Sequence, residues 1–390
     1  MKYKENGSEL TIYFEGHIDS ANAKEIEDEI SAVKEKVRPD KLVIDCENLQ
    51  YISSAGLRIV LRLMKEIKPI TIVNVSSDVY EIFDMTGFTE MAEVRKAYRK
   101  VSVDGCEIIG KGANGTVFRI DRDTIVKVYV NPDSLPEIQR ERELARKAFV
   151  LGIPTAIPYD VVRVGEGYGS VFELLSAKSL AEILSKDPGQ FDSVLKYSVD
   201  LLKTIHSKEL PKGEMPDCKA TVLGWVDFLK DYLPEAQYNK LKALVEAVPE
   251  DNHIMHGDYH MKNVMLQDGE ALLIDMDTLC LGHPVFEFGS IYNSYIGYSE
   301  LDPENVRKFL GISFETAKQI WDRTVRSYFG SDDEDFIRSV KDKAKVVGYT
   351  RVMRRAIRRG SMSDPATLAV VNNCRKHFDE LLPRVDTLEF

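Results

Sequence analysis

Apolar positions in the first hundred residues alternate between two periods. LTIYFEG (10–16) has the β-branched and aromatic run of a strand, after which Ile26, Ile30, Val33 and Val37 recur at helical spacing with charges between them. KLVIDC (41–46) is a continuous apolar run suited to a buried strand, SAGLRIVLRLMKEI (54–67) reads as a helix, and ITIVNV (70–75) as the next strand. This order predicts a βαβ unit with a parallel strand pair. A further short helix, DVYEIFDMTGF (78–88), precedes the charged, breaker-containing stretch RKAYRKVSVDG (95–105), which places a domain boundary at about residue 100.

Beyond that boundary the pattern changes. CEIIGKG, GTVFRI and TIVKVYV (106–130) are short β-branched segments joined by Asn114-Gly115 and by Asp121-Arg122-Asp123, the signature of an antiparallel meander. A charged helix is expected at about 136–150. From about 177 onward the pattern is mostly helical, interrupted near 253–277 by a polar segment.

Length and composition narrow the class. With 390 residues, 44% hydrophobic and 29% charged, the chain is long enough for two or three packed domains, which excludes disorder. Its net charge of −11 argues against a nucleic-acid partner, although residues 341–390 carry 11 basic and 6 acidic side chains. Five cysteines (Cys46, Cys106, Cys218, Cys280, Cys374) form no C-x-x-C pair, and no signal peptide is visible, so a reducing, cytoplasmic setting is expected. The longest apolar runs fall far short of the ~20 residues of a membrane span.

Candidate chemistry is concentrated in residues 110–277. GKGANGTV places Gly110, Gly112, Gly115 and Val117 at the spacing G-x-G-x-x-G-x-V. A Rossmann unit would begin a helix at these glycines, whereas TVFRI leads through a turn into another strand. Glycines at a hairpin tip let backbone lie over phosphates, and an ordinary Asn-Gly hairpin turn is the plainer alternative. Lys127, in IVKVY, follows on the strand expected beneath the loop. Such a half-buried ammonium calls for an anionic partner, either phosphate or a helix carboxylate. Glu141 and Glu143 are both candidates, and the apolar phase set by Leu144 and Phe149 leaves the choice open. A snorkelling edge-strand lysine is the alternative.

HGDYHMKN supplies His256, Asp258 and Asn263, and LLIDMD supplies Asp275 and Asp277 after an apolar strand. A loop and a hairpin bring Asp258, Asn263 and Asp275 to one point. There a carboxylate can receive the proton of an attacking hydroxyl while hard oxygen ligands hold Mg²⁺ on nucleotide phosphates. His253, His256 and His260 have metal-like spacing but lack a supporting cysteine, so a zinc site is the lesser reading beside a bracing role for His256. Arg351, Arg354, Arg355, Arg358 and Arg359 fall on one helix face, as a solvated stripe or as a surface for an acidic domain or anionic substrate. Trp225, Tyr292, Tyr295 and Tyr298 fit either an acceptor pocket or the core.

On these motifs, residues 106 to about 330 resemble the aminoglycoside phosphotransferase and choline kinase group, which shares the bilobal protein-kinase fold. The resemblance implies that Lys127 holds the α- and β-phosphates of ATP and pairs with Glu143, nine residues before the Gly152-Ile153-Pro154 turn. It implies Asp258 as catalytic base, Asn263 and Asp275 as Mg²⁺ ligands, and Phe172-Glu173-Leu174-Leu175 as the hinge receiving adenine. HGD in place of HRD favours this group over protein kinases, and Glu287 stands where the group usually has Asp. Only the short stretch 278–297 follows the metal-binding Asp, in place of an activation segment, which favours a small-molecule acceptor.

Residues 1–98 resemble the STAS domain of bacterial anti-sigma factor antagonists, through LQYISSAGLRIVL after a buried strand and through DVYEIFDMTGF. The resemblance implies a protein partner and phosphorylation at Ser54 or Ser53, while a plain helix-capping role for both serines stands beside it. The expected architecture is an α/β STAS domain (1–98), a linker (99–105), and an α+β kinase-like domain. The last has an N-lobe with hinge at 106–175 and a helical C-lobe at 176–390. The expected activity is ATP- and Mg²⁺-dependent phosphoryl transfer to a small-molecule hydroxyl. A kinase acting on a STAS serine and a non-catalytic nucleotide sensor are the alternatives.

Overall fold

The computed structural model describes residues 1–112, 115–131 and 134–390, and the chain divides into two compact units, Met1–Ser102 and Val103–Phe390. In the first unit the elements are β1 (Tyr3–Asn6), β2 (Glu9–Ile18), α1 (Ala23–Val37), β3 (Lys41–Ile52), α2 (Ser54–Glu66) and β4 (Ile70–Val75). They are followed by α3 (Ser77–Met85), α4 (Phe88–Met91) and β5 (Glu93–Lys96). The sheet runs β1-β2-β3-β4-β5; β1 is antiparallel to β2, and the remaining pairs are parallel. The single helix expected over 78–88 is two, because the chain breaks at Thr86-Gly87. Leu57, Val60, Leu63 and Met64 give α2 one apolar face, which is buried in the same core as Leu10, Ile12, Ile44 and Ile72 of the strands.

In the second unit β6 (Glu107–Lys111), β7 (Gly115–Arg119) and β8 (Thr124–Tyr129) form the expected meander. After α5 (Leu135–Val150), the hairpin of β9 (Pro158–Val164) and β10 (Gly167–Glu173) completes an antiparallel sheet of order β6-β7-β8-β10-β9. The Asn114 half of the Asn114-Gly115 turn lies outside the described residues.

Past the strand end at Glu173 come β11 (Lys178–Ser179), α6 (Leu180–Lys186), α7 (Phe191–His206), α8 (Cys218–Phe228) and α9 (Glu235–Ala247). The polar segment is built from β12 (Ile254–Met255), β13 (Val264–Gln267), β14 (Glu270–Leu273) and β15 (Cys280–Leu281). Helices α10 (Pro284–Tyr292), α11 (Glu304–Leu310), α12 (Phe314–Phe329), α13 (Glu334–Arg359) and α14 (Pro365–Leu381) close the unit. One continuous core runs from Leu144 and Ala148 of α5 through Leu202 and Phe288 to Phe378, so α5 is tied to the helical lobe as well as to its sheet. Among the described residues no helix is long and apolar enough to cross a membrane.

Gly115 is required by the sheet itself. A Cβ there would lie 2.4 Å from the carbonyl oxygen of Val128, whereas one at Gly110 would meet Val117 at an ordinary 3.7 Å. Gly115→Ala is therefore expected to destabilise the ligand-free protein by about 1–3 kcal/mol in chemical denaturation, as overpacking against rigid backbone does. Gly110→Ala should leave that stability almost unchanged.

Candidate active site

The site begins with a buried cation. Lys127 lies on β8 with its ammonium 2.9 Å from Oε1 of Glu141 and 2.9 Å from Oδ1 of Asp275. Burial opposes the charge, but the two carboxylates outweigh it and hold Lys127 well above the usual lysine range. The other oxygen of Glu141 accepts from the Tyr129 hydroxyl, which also lies 3.3 Å from Ser170 Oγ. The pairing with Glu143 implied by resemblance is therefore corrected: Glu141 is buried beside Lys127, and Glu143 is exposed. The two positions differ by about 200° around a helix, so only one of them can face the sheet.

Asp275 ends the β13–β14 hairpin in a left-handed conformation (φ 64°), uncommon for a residue with a side chain. Its carboxylate is partly open to solvent, and Asp277 follows in the turn of 276–278. Burial, with the nearby carboxylates of Asp275 and Glu141, pushes Asp277 up to about 6. Asn263 donates its side-chain amide to the carbonyl of Asp258 at 3.2 Å, which leaves its amide oxygen available as a ligand. Clustered carboxylates beside a neutral amide oxygen fit a hard divalent cation that shares its remaining positions with phosphate and water. Among the described residues no three His, Cys, Asp or Glu side chains are grouped to hold a metal, and both ring nitrogens of His256 are engaged with backbone groups of Asp258 and Ile274.

The loop carrying Asp258 is held from several elements. The carboxylate of Glu287, on α10, is fully buried and accepts the backbone N–H groups of His256 and of Gly257 (3.1 Å). Gly257 has φ 79° and lies so close to the turn of 276–278 that a Cβ would meet the Thr278 carbonyl oxygen at 2.5 Å. His256 Nδ1 accepts from the Asp258 N–H at 3.2 Å, which leaves Nε2 to donate to the Ile274 carbonyl at 3.2 Å. Those two bonds select the neutral Nε2–H tautomer and brace the loop against the hairpin. Further ties are Tyr259 OH to the Ser198 carbonyl (2.6 Å) and the Met261 N–H to the Tyr295 hydroxyl (3.0 Å).

Asp258 itself has a partner that sequence reasoning did not pair with it. Arg351 of α13 donates through Nη2 to Asp258 Oδ1 at 3.1 Å, and through Nη1 to the Gly257 carbonyl (2.9 Å) and Ser290 Oγ (2.7 Å). His260 Nε2 lies 3.7 Å from Oδ2. Burial works against ionisation of Asp258, yet His260 and Arg351 hold it well below the ordinary carboxylate range. The contact spans 93 residues, so no local motif points to it; the only signal is the basic spacing on α13. Of the four aromatics, Tyr292 and Tyr295 are core, whereas Trp225 and Tyr298 are half-buried beneath arginines of α13.

The expected hinge lies where β10 ends. The Glu173 N–H is committed to the Ile157 carbonyl and the Leu174 N–H to that of Asp123, while the Leu175 N–H has no hydrogen bond among the described residues. On the first unit, Ser53 is the N-cap of α2, its hydroxyl accepting the Ala55 N–H at 3.2 Å, and Ser54 is exposed in the first turn.

Fold and site together define a two-domain chain with a kinase-like second domain. The chain belongs to the phosphotransferase enzyme family, whose model matches residues 105–323, and it carries a STAS domain matched over residues 1–102. Of the curated relatives, the anti-sigma factor antagonist BtrV of Bordetella bronchiseptica is 34% identical over 89 residues, 22% of this chain and 76% of that protein. A thermostable mutant of aminoglycoside phosphotransferase APH(4)-Ia, solved with ADP and hygromycin B, is 13% identical with a TM-score of 0.49, covering 72% of this chain and 94% of that one. The gentamicin complex of APH(2″)-IIa is 14% identical at TM-score 0.48, over 82% and 100% of the two chains. A choline/ethanolamine kinase family protein from Mesorhizobium loti is 15% identical at 0.43, over 71% and 87%.

Burial opposes the charge of Glu287, but His206 and the Gly257 N–H hold it below its ordinary value of 4.5, so its stabilisation has a defined pH window. It should be fully present above that ordinary value and be lost as the pH falls through the lower folded value. Glu287→Gln is expected to cost about 1.5–3 kcal/mol at pH 7, the usual range for hydrogen bonds to a charged group, and to flatten the acid side of the stability profile. Denaturant titrations from pH 7 to pH 3 would check both.

Proposed function

We propose that the chain is an ATP- and Mg²⁺-dependent phosphotransferase acting on the hydroxyl of a small molecule, with its STAS domain serving a protein partner. The observation that carries this reading is the convergence of the Lys127–Glu141–Asp275 ion cluster with the braced Asp258 loop in one unit. Lys127 is positioned to hold nucleotide phosphates beneath the loop of Gly110, Gly112 and Gly115, and the uncommitted Leu175 N–H beside Glu173 suits an adenine edge. Asn263 and Asp275 would hold Mg²⁺, which when bound neutralises charge on the phosphates. Only residues 276–283 separate Asp275 from α10, too short a segment to build a peptide platform, which supports a small acceptor.

Asp258 offers Oδ2 to the acceptor while Arg351 engages Oδ1. The acceptor oxygen forms the new bond to phosphorus as the bond to the ADP oxygen breaks, and its proton passes to Oδ2. A carboxylate held so far into its ionised form is a weak base, so its larger contribution is to orient the hydroxyl. Phosphoryl transfer through a loose transition state chiefly demands such orientation. On the STAS domain, exposed Ser54 is the hydroxyl available to a modifying kinase, with Ser53 occupied as the cap.

MgATP at ~100 times its Kd should stabilise the protein by about 2.7 kcal/mol, and no shift with millimolar nucleotide would sink the reading. Asp258→Asn is expected to lower turnover by about 10²–10⁴-fold with ATP affinity nearly unchanged. Asp275→Asn should weaken Mg²⁺-dependent ATP binding as well as turnover. Nucleotide titrations of both variants with and without Mg²⁺, beside ATP consumption, separate the roles. Label from ATP arriving on Ser54 would point to a protein acceptor.

A further inference from the structure

We infer that the acceptor is an anion: the wall beside Asp258 is built to receive a hydroxyl compound bearing phosphate or carboxylate, and not a polyamine. The inference rests on the phosphotransferase reading and names the substrate class of that site.

The wall is the arginine face of α13. Arg351 reaches Asp258, and the next turn presents Arg354 and Arg355. The guanidinium carbons of Arg351 and Arg354 lie 5.7 and 5.8 Å from the centre of the Trp225 ring on α8, and that of Arg355 lies 4.5 Å from the ring of Tyr298. Among the described residues no carboxylate lies within ion-pair distance of Arg354, Arg355, Arg358 or Arg359. Burial, and then repulsion from Arg358 and Arg351, pulls Arg354 below its ordinary value, so nothing nearby answers its charge.

Two polar atoms are left waiting in this wall. Arg354 Nε and the Tyr298 hydroxyl are buried and have no hydrogen-bond partner among the described residues. An unsatisfied buried donor costs about 1–3 kcal/mol, and a ligand that brings acceptor oxygens to the arginine face next to Arg351 would satisfy both. Planar guanidinium groups suit the oxygens of phosphate or carboxylate. A cationic acceptor would meet the opposite situation. It would approach unpaired arginines, and the ring faces that could attract it are already covered by guanidinium groups. A large acidic protein surface is less well matched, because the pairing begins at Asp258 itself.

The test uses the full chain with glucose 6-phosphate and D-glycerate as anionic probes, glucose and glycerol as neutral ones, and choline and kanamycin as cationic ones. Calorimetry without nucleotide reads binding, and ATP consumption with Mg²⁺ reads turnover. Anionic probes should bind at least tenfold more tightly than their neutral counterparts. Arg354→Gln should weaken that binding, and raise KM where turnover occurs, by about 10–100-fold. Arg354→Lys should restore part of the loss, and the exposed Arg355→Gln gives an independent check should the first variant fold poorly. Unchanged anion affinity in both Gln variants, or Arg354-dependent binding of polyglutamate alone, would overturn the inference. Turnover of choline or kanamycin with MgATP bound would overturn it while leaving the phosphotransferase reading intact. Absence of MgATP binding on the same samples would remove both.

Discussion

The geometry of the second unit turns on one buried ammonium. Lys127 is only 15% exposed, and two carboxylates from separate parts of the chain, Glu141 of α5 and Asp275 after the hairpin, share its charge. Leaving Lys127 or Glu141 unpaired in this setting would cost several kcal/mol, which ties the strand to the helix, while the more open Asp275 adds the hairpin end to the cluster. Helix α5 meets the condition because its apolar residues Leu144, Ala145 and Ala148 anchor it in the same core as the helical lobe. In the proposed reading the ion cluster sets where phosphates sit, and the core fixes where the cluster sits.

A second constraint acts on the loop of Asp258. Backbone N–H groups that no strand or helix satisfies are taken up by the buried Glu287 carboxylate, and the imidazole of His256 is locked in one tautomer between Asp258 and Ile274. Arg351 adds a positive charge at the Asp258 carboxylate, which lowers its basicity. On the proposed function, the site trades base strength for orientation and sets the same arginine face against the molecule that brings the hydroxyl, which would join specificity and base strength through one helix.

How much of this was legible follows from sequence distance. The glycine string, Lys127, Asp258, Asn263 and Asp275 lie in short motifs whose spacing is set by a turn or a hairpin, and the parallel unit of the first domain follows from strand and helix periods. The phase of Leu144 and Phe149 leaves the choice between Glu141 and Glu143 open because Phe149 is apolar but 45% exposed, and it was the resemblance that pointed to Glu143. Phased instead on Ile138, Leu144, Ala145 and Ala148, the buried residues of α5, Glu141 falls on the inner face. The β9–β10 hairpin was missed although Gly165-Glu166-Gly167 separates two β-rich runs. The contact of Arg351 with Asp258 and that of Glu287 with the loop join residues 93 and 30 positions apart, and only packing of α10 and α13 brings them together.

The central claim, that the buried pairing of Lys127 with Glu141 holds the nucleotide site in shape, is tested most directly by comparing two neighbouring substitutions. MgATP affinity and thermal stability would be measured for Glu141→Gln, Glu143→Gln and each of these combined with Lys127→Met. The account predicts that Glu141→Gln weakens MgATP binding and couples to Lys127→Met by more than about 1 kcal/mol, while Glu143→Gln behaves as the parent and adds independently. Coupling of Lys127 to Glu143, or a Glu141→Gln variant with unchanged affinity and stability, would contradict it.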